Sequence, residues 1–246
     1  MRIELDTERP PQLGLIVLQA DETIEDDFRR LLPDTASLLV SRVASAPTVT
    51  RDTLRQMETH LTAAASLFPA SAMFQGIAYG CTSGTAEIGA PRIAELVRAG
   101  ADTPYVTEPV SALIAACRQR GIERLGLVSP YVASVTARLR TVLAATGIAT
   151  PQSLNFDEPR EDAVARISAH TVTDAAIEIG RHVSCDAVFL SCTNLRTLTV
   201  IATVEAEIGK PVLSSNQVLA WHLCALTGLL PASDAPGQLF RSVKHP

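Results

Sequence analysis

The stretch Leu13-Gly-Leu-Ile-Val-Leu18 decides the fold, because the chain repeats it as Leu125-Gly-Leu-Val-Ser129. Both stretches are continuous apolar runs, the pattern of a strand buried on both faces, and a segment with helical spacing follows each of them. Strands that alternate with helices indicate parallel sheets wound by right-handed crossovers. The sequence therefore predicts an α/β fold with two parallel-sheet halves related by a pseudo-twofold axis.

Two cysteines recur at matching places in this duplication. Cys81 lies in Ala78-Tyr-Gly-Cys-Thr-Ser-Gly-Thr85, and Cys192 lies in Leu190-Ser-Cys-Thr-Asn-Leu-Arg-Thr197. Each follows a short apolar run, and each stands at the same distance from its Leu-Gly-Leu stretch to within one residue. We expect each thiol at the carboxyl end of a strand, beside a helix N-terminus, where a thiolate or a bound anion is favoured.

A third matched feature follows each cysteine, namely Thr103-Pro-Tyr-Val106 and Lys210-Pro-Val-Leu213. The first predicted half comprises residues 1–110 plus 215–246, since the last helix returns to it, and the second comprises residues 111–214. Ligands of open parallel sheets bind beyond the carboxyl ends of the strands, so we expect the active site in the cleft between the halves. The predicted helices cover residues 24–32, 52–67, 88–99, 109–120, 132–146, 161–183, 198–208 and 217–227.

Composition and charge favour small-molecule chemistry. The 246-residue chain is 47% hydrophobic and has a formal charge of −5. Without a basic patch, we expect neither nucleic acid nor membrane as a partner. The first ten residues lack the apolar core of a signal peptide, which predicts a cytoplasmic protein. Soluble enzymes of this size are commonly homo-oligomers, and we expect one here.

The sequence predicts neither a metal nor an organic cofactor. The five cysteines include no Cys-x-x-Cys pair, and the histidines show no spacing typical of a triad or a zinc site. Gly80 and Gly84 lack the spacing of a dinucleotide-binding loop.

Two opposed thiol groups suit a particular reaction. One thiolate removes a proton from carbon while the opposite thiol delivers one to the other face, which inverts the centre. Alternatively, one thiolate adds to an alkene and allows bond rotation. Both reactions need a lowered thiol pKa. Hydroxyl groups that follow the cysteines, on Thr82, Ser83, Thr85 and Thr193, are candidates to bind a substrate carboxylate.

A single cysteine is more often a small buried residue than a catalytic one. The matched placement of Cys81 and Cys192 favours catalysis, whereas Cys117, Cys185 and Cys224 are interpreted as buried and inert. A further alternative is a protein that binds a small acid without transforming it.

An ordered set of motifs resembles the aspartate/glutamate racemase superfamily, in the branch of maleate isomerase, arylmalonate decarboxylase and the ectoine-utilisation protein EutA. The motifs are Gly14-Leu-Ile-Val17 with Asp21-Glu-Thr-Ile-Glu25, Gly80-Cys-Thr-Ser-Gly84, Ser129-Pro-Tyr131 and Ser191-Cys-Thr-Asn194. The cysteine motifs look closest to the ectoine-utilisation proteins. The resemblance covers nearly the whole chain.

The resemblance implies two Rossmann-like, flavodoxin-like halves, no cofactor, and a small carboxylate substrate held between the halves. Cys81 and Cys192 would be the acid/base or nucleophilic pair. Thr82, Ser83 and Tyr131 would hold the substrate carboxylate, and Thr193 and Asn194 would line the opposite wall.

Asp21 departs from the pattern, because maleate isomerases carry a substrate-binding Asn there. An acid at this position would repel a second carboxylate unless it is protonated or paired, and it would suit a substrate with one carboxylate and one cationic group. Arylmalonate decarboxylases keep only the second cysteine, so Cys81 disfavours decarboxylation. We therefore expect a cofactor-independent racemase or epimerase, acting in ectoine or hydroxyectoine breakdown; a maleate-type cis-trans isomerase and an arylmalonate-type decarboxylase are the alternatives.

Overall fold

The strands form two four-stranded parallel sheets with the same internal order. The computed structural model describes residues 3–6 and 8–241, so His245 and the outer ends of the first predicted half, 1–2 and 242–246, lie outside it. The first sheet contains β1 (Gln12–Leu18), β2 (Ser37–Val43), β3 (Phe74–Gly80) and β4 (Val106–Thr107), and the second contains β5 (Arg124–Ser129), β6 (Ala149–Asn155), β7 (Ala187–Leu190) and β8 (Val212–Ser214). Their orders are β2-β1-β3-β4 and β6-β5-β7-β8. The predicted α/β fold with two parallel-sheet halves is confirmed.

Helices flank both sheets. They are α1 (Ile24–Leu31), α2 (Arg51–Gln56), α3 (Glu58–Ala65), α4 (Thr82–Ile88), α5 (Ala90–Gly100), α6 (Pro109–Arg120), α7 (Ala133–Ala144), α8 (Glu161–Val164), α9 (Ala169–Gly180), α10 (Leu198–Ile208), α11 (Ser215–Thr227) and α12 (Gln238–Arg241). None of the helices in the described part of the chain is long and apolar enough to cross a membrane.

Two predicted helices were wrong in their continuity, and α4 was missed. The predicted helix 52–67 breaks at Met57 into α2 and α3. Gly89, at φ 95°, ends α4 and starts α5, so the predicted helix 88–99 is preceded by a separate helix that carries Thr82. The predicted helix 161–183 divides into α8 and α9, because the Ser168 side chain accepts the N–H of Thr171 and begins a new helix.

The edge strands β2 and β6 were missed. Both are partly exposed and contain polar residues such as Arg42 and Gln152, so neither forms the continuous apolar run that marks the central strands.

The repeated glycines of the central strands allow close packing. A Cβ atom on Gly14 of β1 would lie 2.7 Å from Ile77 Cγ1, and one on Gly126 of β5 would lie 2.3 Å from Ile179 Cγ2. A side chain at either position would overlap a buried neighbour, so each half needs glycine at the same point of its sheet.

A helix and a pair of loops are among the links between the halves. Helix α11 follows β8 of the second sheet and packs against α6 and against β3 of the first. The loop before α2 also pairs with the loop before α8, through Val49 N–H to Pro159 O at 2.8 Å and Glu161 N–H to Pro47 O at 3.0 Å. The exact boundaries 110/111 and 214/215 stay a prediction.

Candidate active site

The predicted site residues follow the carboxyl ends of the central strands. Asp21 comes after β1, Cys81 after β3, Tyr131 after β5 and Cys192 after β7. All four are buried. Parallel strands bring these ends to one edge of each sheet, as the sequence predicted.

Cys81 caps the start of α4. Its Sγ accepts the N–H of Gly84 at 3.2 Å, and a Cβ on Gly84 would lie 2.8 Å from that sulfur. Burial raises the pKa of Cys81 to about 12, and the charges of Glu161 and Asp21 act in the same direction. The Gly84 N–H and the Tyr79 hydroxyl oppose the rise.

Cys192 has a different surrounding. Tyr131 Oη lies 3.1 Å from its Sγ, which also accepts the N–H of Asn194 at 3.3 Å. Burial raises the pKa of Cys192 well above its usual value, and the charge of Glu161 adds to the rise. The expected helix N-terminus beside Cys192 was wrong, because α10 begins only at Leu198.

The lowered thiol pKa that the chemistry requires is therefore not a property of the resting site. Both thiol groups are buried beside the acids Asp21 and Glu161, and burial disfavours the thiolate. Burial therefore favours the protonated form of both thiols.

Ser215, at the start of α11, joins the two walls. Its Oγ accepts the Thr82 hydroxyl at 2.7 Å and the Cys192 N–H at 3.0 Å. The Thr193 hydroxyl adds a second link by donating to Gly80 O at 3.2 Å. The sequence reasoning missed Ser215, although Ser214 and Ser215 directly follow a short apolar run.

Glu161, the first residue of α8, is a second missed residue. It is 3% exposed. Tyr131 Oη donates to its Oε1 at 2.9 Å, and Asn194 Nδ2 donates to its Oε2 at 3.0 Å. Burial raises the pKa of Glu161, and these two donors oppose the rise. Its sequence context is a polar loop entering a helix, which gave no signal of burial.

Asp21 is held by its own loop. Its Oδ1 accepts the N–H groups of Thr23 and Ile24 at 2.8 Å each, while Oδ2 has no hydrogen-bond partner among the described residues. Burial raises the pKa of Asp21 and the two backbone bonds oppose that rise. Asn194 meets the same loop, since its Oδ1 accepts the N–H of Glu22 at 2.8 Å.

The structure thus brings the predicted residues to one place. Thr82, Thr193 and Asn194 use their side chains to hold the walls together. The buried Ser83 hydroxyl has no hydrogen-bond partner within the described residues. That these residues bind or transform a substrate stays a prediction.

Comparison with known proteins links this geometry to one family. The model of the family described as arylmalonate decarboxylase matches residues 14–240. Maleate isomerase from Geobacillus stearothermophilus is 25% identical over 83% of this chain and 86% of its own. Arylmalonate decarboxylase from Bordetella bronchiseptica is 29% identical, over 48% of this chain, and the match spans only half of that relative's length.

Solved structures share the fold over almost their full length. Maleate isomerase from Pseudomonas putida S16 superposes with a TM-score of 0.84 and 23% identity, covering 94% of this chain and 98% of its own. A liganded double mutant of arylmalonate decarboxylase gives a TM-score of 0.83 at 25% identity, with the same coverage. A Nocardia farcinica maleate cis-trans isomerase mutant, which carries a covalently bound succinylcysteine intermediate, gives a TM-score of 0.80 at 23% identity, covering 94% of this chain and 98% of its own.

Proposed function

The chain belongs to the arylmalonate decarboxylase family, and from that premise we propose that it is a cofactor-independent isomerase of the racemase or epimerase type. One observation carries the proposal: Cys81 and Cys192 end equivalent strands of the two sheets, and both are buried around the same groups. An arylmalonate decarboxylation needs a proton on one face only, whereas this site has a thiol on each wall.

The reaction moves one proton off carbon and another onto it. One cysteine, as thiolate, takes the proton next to a substrate carboxylate, and the thiol of the other returns a proton to the opposite face. The intermediate carries extra negative charge on the carboxylate oxygens. Hydroxyl groups of Thr82 and Ser83 on one wall, and of Thr193 on the other, are the donors that would stabilise it.

The acids of the site indicate the substrate class. Neither Asp21 nor Glu161 hydrogen-bonds through its carboxyl group to a Lys, Arg or His side chain among the described residues. Arg42 reaches only the backbone oxygen of Asp21, at 3.0 Å. A substrate with one carboxylate and one cationic group, such as an amino acid or the amidinium of ectoine, would supply the missing positive charge and lower the pKa of both thiols. We propose that it acts in ectoine or hydroxyectoine breakdown.

The test is proton NMR in deuterium oxide with ectoine, hydroxyectoine, aspartate, maleate and an arylmalonate. We expect loss of the signal next to a carboxylate of a cationic substrate, together with appearance of its stereoisomer. Conversion of maleate or arylmalonate without such exchange would overturn the proposal, and binding without turnover of any compound would leave only a binding protein.

Asp21→Asn tests the substrate class. Asn keeps the oxygen that accepts from Thr23 and Ile24 but removes the negative charge, so KM for a cationic substrate should rise about 10-fold. Glu22→Gln is the matched control on the same loop, because Glu22 is exposed. An unchanged KM in the Asp21 variant would refute the role of its charge.

Cis-trans isomerisation of a maleate-like diacid is the second candidate, supported by the cysteine adduct in the Nocardia farcinica relative. It predicts a substrate-derived mass on Cys81 or Cys192 during turnover, which simple proton transfer does not produce.

A further inference from the structure

A continuous hydrogen-bonded path links Cys192 to a buried carboxyl group. Cys192 Sγ lies 3.1 Å from Tyr131 Oη, and Tyr131 Oη lies 2.9 Å from Glu161 Oε1. The other carboxyl oxygen, Oε2, accepts from Asn194 Nδ2 at 3.0 Å. All four side chains are buried, so the path is closed to bulk water.

The number of protons fixes the direction of these bonds. A tyrosine has a single hydroxyl proton, and Tyr131 gives it to Glu161. The contact between Tyr131 and Cys192 therefore uses the proton of the thiol, with Tyr131 Oη as acceptor. With the protons in these positions Cys192 is neutral and Glu161 is ionised, and this is the starting state of the relay proposed below.

We propose that Glu161 is the internal base that ionises Cys192, with Tyr131 as the relay between them; this role rests on the proposed function of the cysteine pair. The thiol proton moves from Sγ to Tyr131 Oη while the Tyr131 proton moves to Glu161 Oε1. The products are a Cys192 thiolate and a neutral Glu161, and Tyr131 is neutral before and after. When Cys192 takes a proton from substrate, its thiol is restored. Glu161 stays protonated through that step.

The transfer is compatible with burial because it creates no additional charge. The site holds one negative charge on this path both before and after, so only its position changes. Transfer of the thiol proton to water would instead add a thiolate to a site that already holds Glu161 and Asp21. The charges of these two acids both raise the pKa of Cys192.

Within the part of the chain that the structure describes, no carboxyl group is hydrogen-bonded to Cys81 or to Tyr79. Its sulfur accepts the Gly84 N–H, and the hydroxyl of the neighbouring Tyr79 contacts Met57 Sδ at 3.9 Å rather than a carboxylate. Asp21 and Glu161 act on Cys81 only through their charges. The two thiols therefore differ in how they reach the thiolate form.

Alkylation of Cys192 tests the relay without any substrate. In a Cys81→Ser background, the rate of Cys192 carboxamidomethylation by iodoacetamide is followed by peptide mass spectrometry across pH. We expect two rises: one as Glu161 loses its proton, which makes the internal thiolate accessible, and a second at high pH when the pair loses its last proton. In Glu161→Gln and in Tyr131→Phe the first rise should vanish, with a rate near neutral pH about 100-fold lower.

Other buried acids lie nearby, so two further variants test which acid causes the rise in alkylation rate at the lower pH. Asp21→Asn tests the acid that shares the cleft, and Asp27→Asn tests a carboxyl group whose pKa is raised to about 6. Both should retain two rises. A single rise in the parent, or two rises in folded Glu161→Gln and Tyr131→Phe variants, would overturn the relay. If no compound reacts in the NMR test but the alkylation rate of Cys192 still shows two rises with pH, the proposed reaction is refuted and the relay is not.

Discussion

The two cysteine walls occupy equivalent places in duplicated sheets, yet their chemistry differs. Cys81 has ordinary extended backbone, at φ −155°, and its sulfur is held by a helix amide. Cys192 has φ 150°, a conformation that favours glycine, and its sulfur meets Tyr131 and Asn194. The two halves therefore share the position of the thiol but differ in its neighbours, which is consistent with the proposed reaction, in which the two thiols perform opposite steps.

Single replacements of the cysteines should give the largest effect and separate the two walls. Cys81→Ser and Cys192→Ser should each lower the rate of inversion by about 10²–10⁴-fold, because one proton transfer loses its acid or base. Each variant should still exchange the substrate proton that faces the remaining cysteine. NMR of deuterium incorporation, started from each stereoisomer separately, measures this proton exchange. Equal loss of exchange from both stereoisomers in both variants would contradict an assignment of one cysteine to each face.

The supports behind the two walls should differ in their pH dependence. Behind Cys192, Asn216 Nδ2 donates to Thr193 O at 2.8 Å and to Asp27 Oδ2 at 2.7 Å. Burial raises the pKa of Asp27 from 3.8 to about 6, so the folded state favours its protonated form. Its contribution is complete below the unfolded-state pKa and is lost as the pH rises through about 6, a loss of about 3 kcal/mol.

Asp27→Asn removes this titration and keeps an oxygen for Asn216. Between about pH 4 and pH 7, the free energy of unfolding of the parent should fall by about 2.4 kcal/mol relative to the variant, which is most of the full effect. Urea unfolding at the two pH values measures the difference. The exposed neighbour Asp26 is the control, since Asp26→Asn should follow the parent. Parallel pH curves for parent and Asp27→Asn would show that Asp27 does not titrate in this range.

Backbone strain gives the smallest and most specific contrast. Alanine at position 192 keeps the unfavourable φ, whereas glycine relieves it, so Cys192→Gly should be more stable than Cys192→Ala by about 1 kcal/mol. Thermal unfolding of the two variants checks this order. Equal stability of Cys192→Gly and Cys192→Ala would mean that Cys192 is not strained.

The sequence was sufficient for the central strands and for the pairing of Cys81 with Cys192, because buried parallel strands are continuous apolar runs and the duplication places the thiols in register. It was insufficient for the edge strands and for Glu161. A glutamate in a polar loop has the same sequence signature whether solvent or Tyr131 surrounds it, since the partner lies 30 residues away. The polar groups around Cys192 are brought together by tertiary contacts, which the sequence pattern does not show.

The Ser215 hydroxyl fixes the spacing of the two cysteine walls at one point. Since Thr82 of one wall and Cys192 of the other bind the same oxygen atom, at 2.7 and 3.0 Å, the walls cannot separate there without breaking one of these bonds. If the proposed reaction takes place between these walls, we expect this fixed spacing to limit the size of the group that a substrate can carry there.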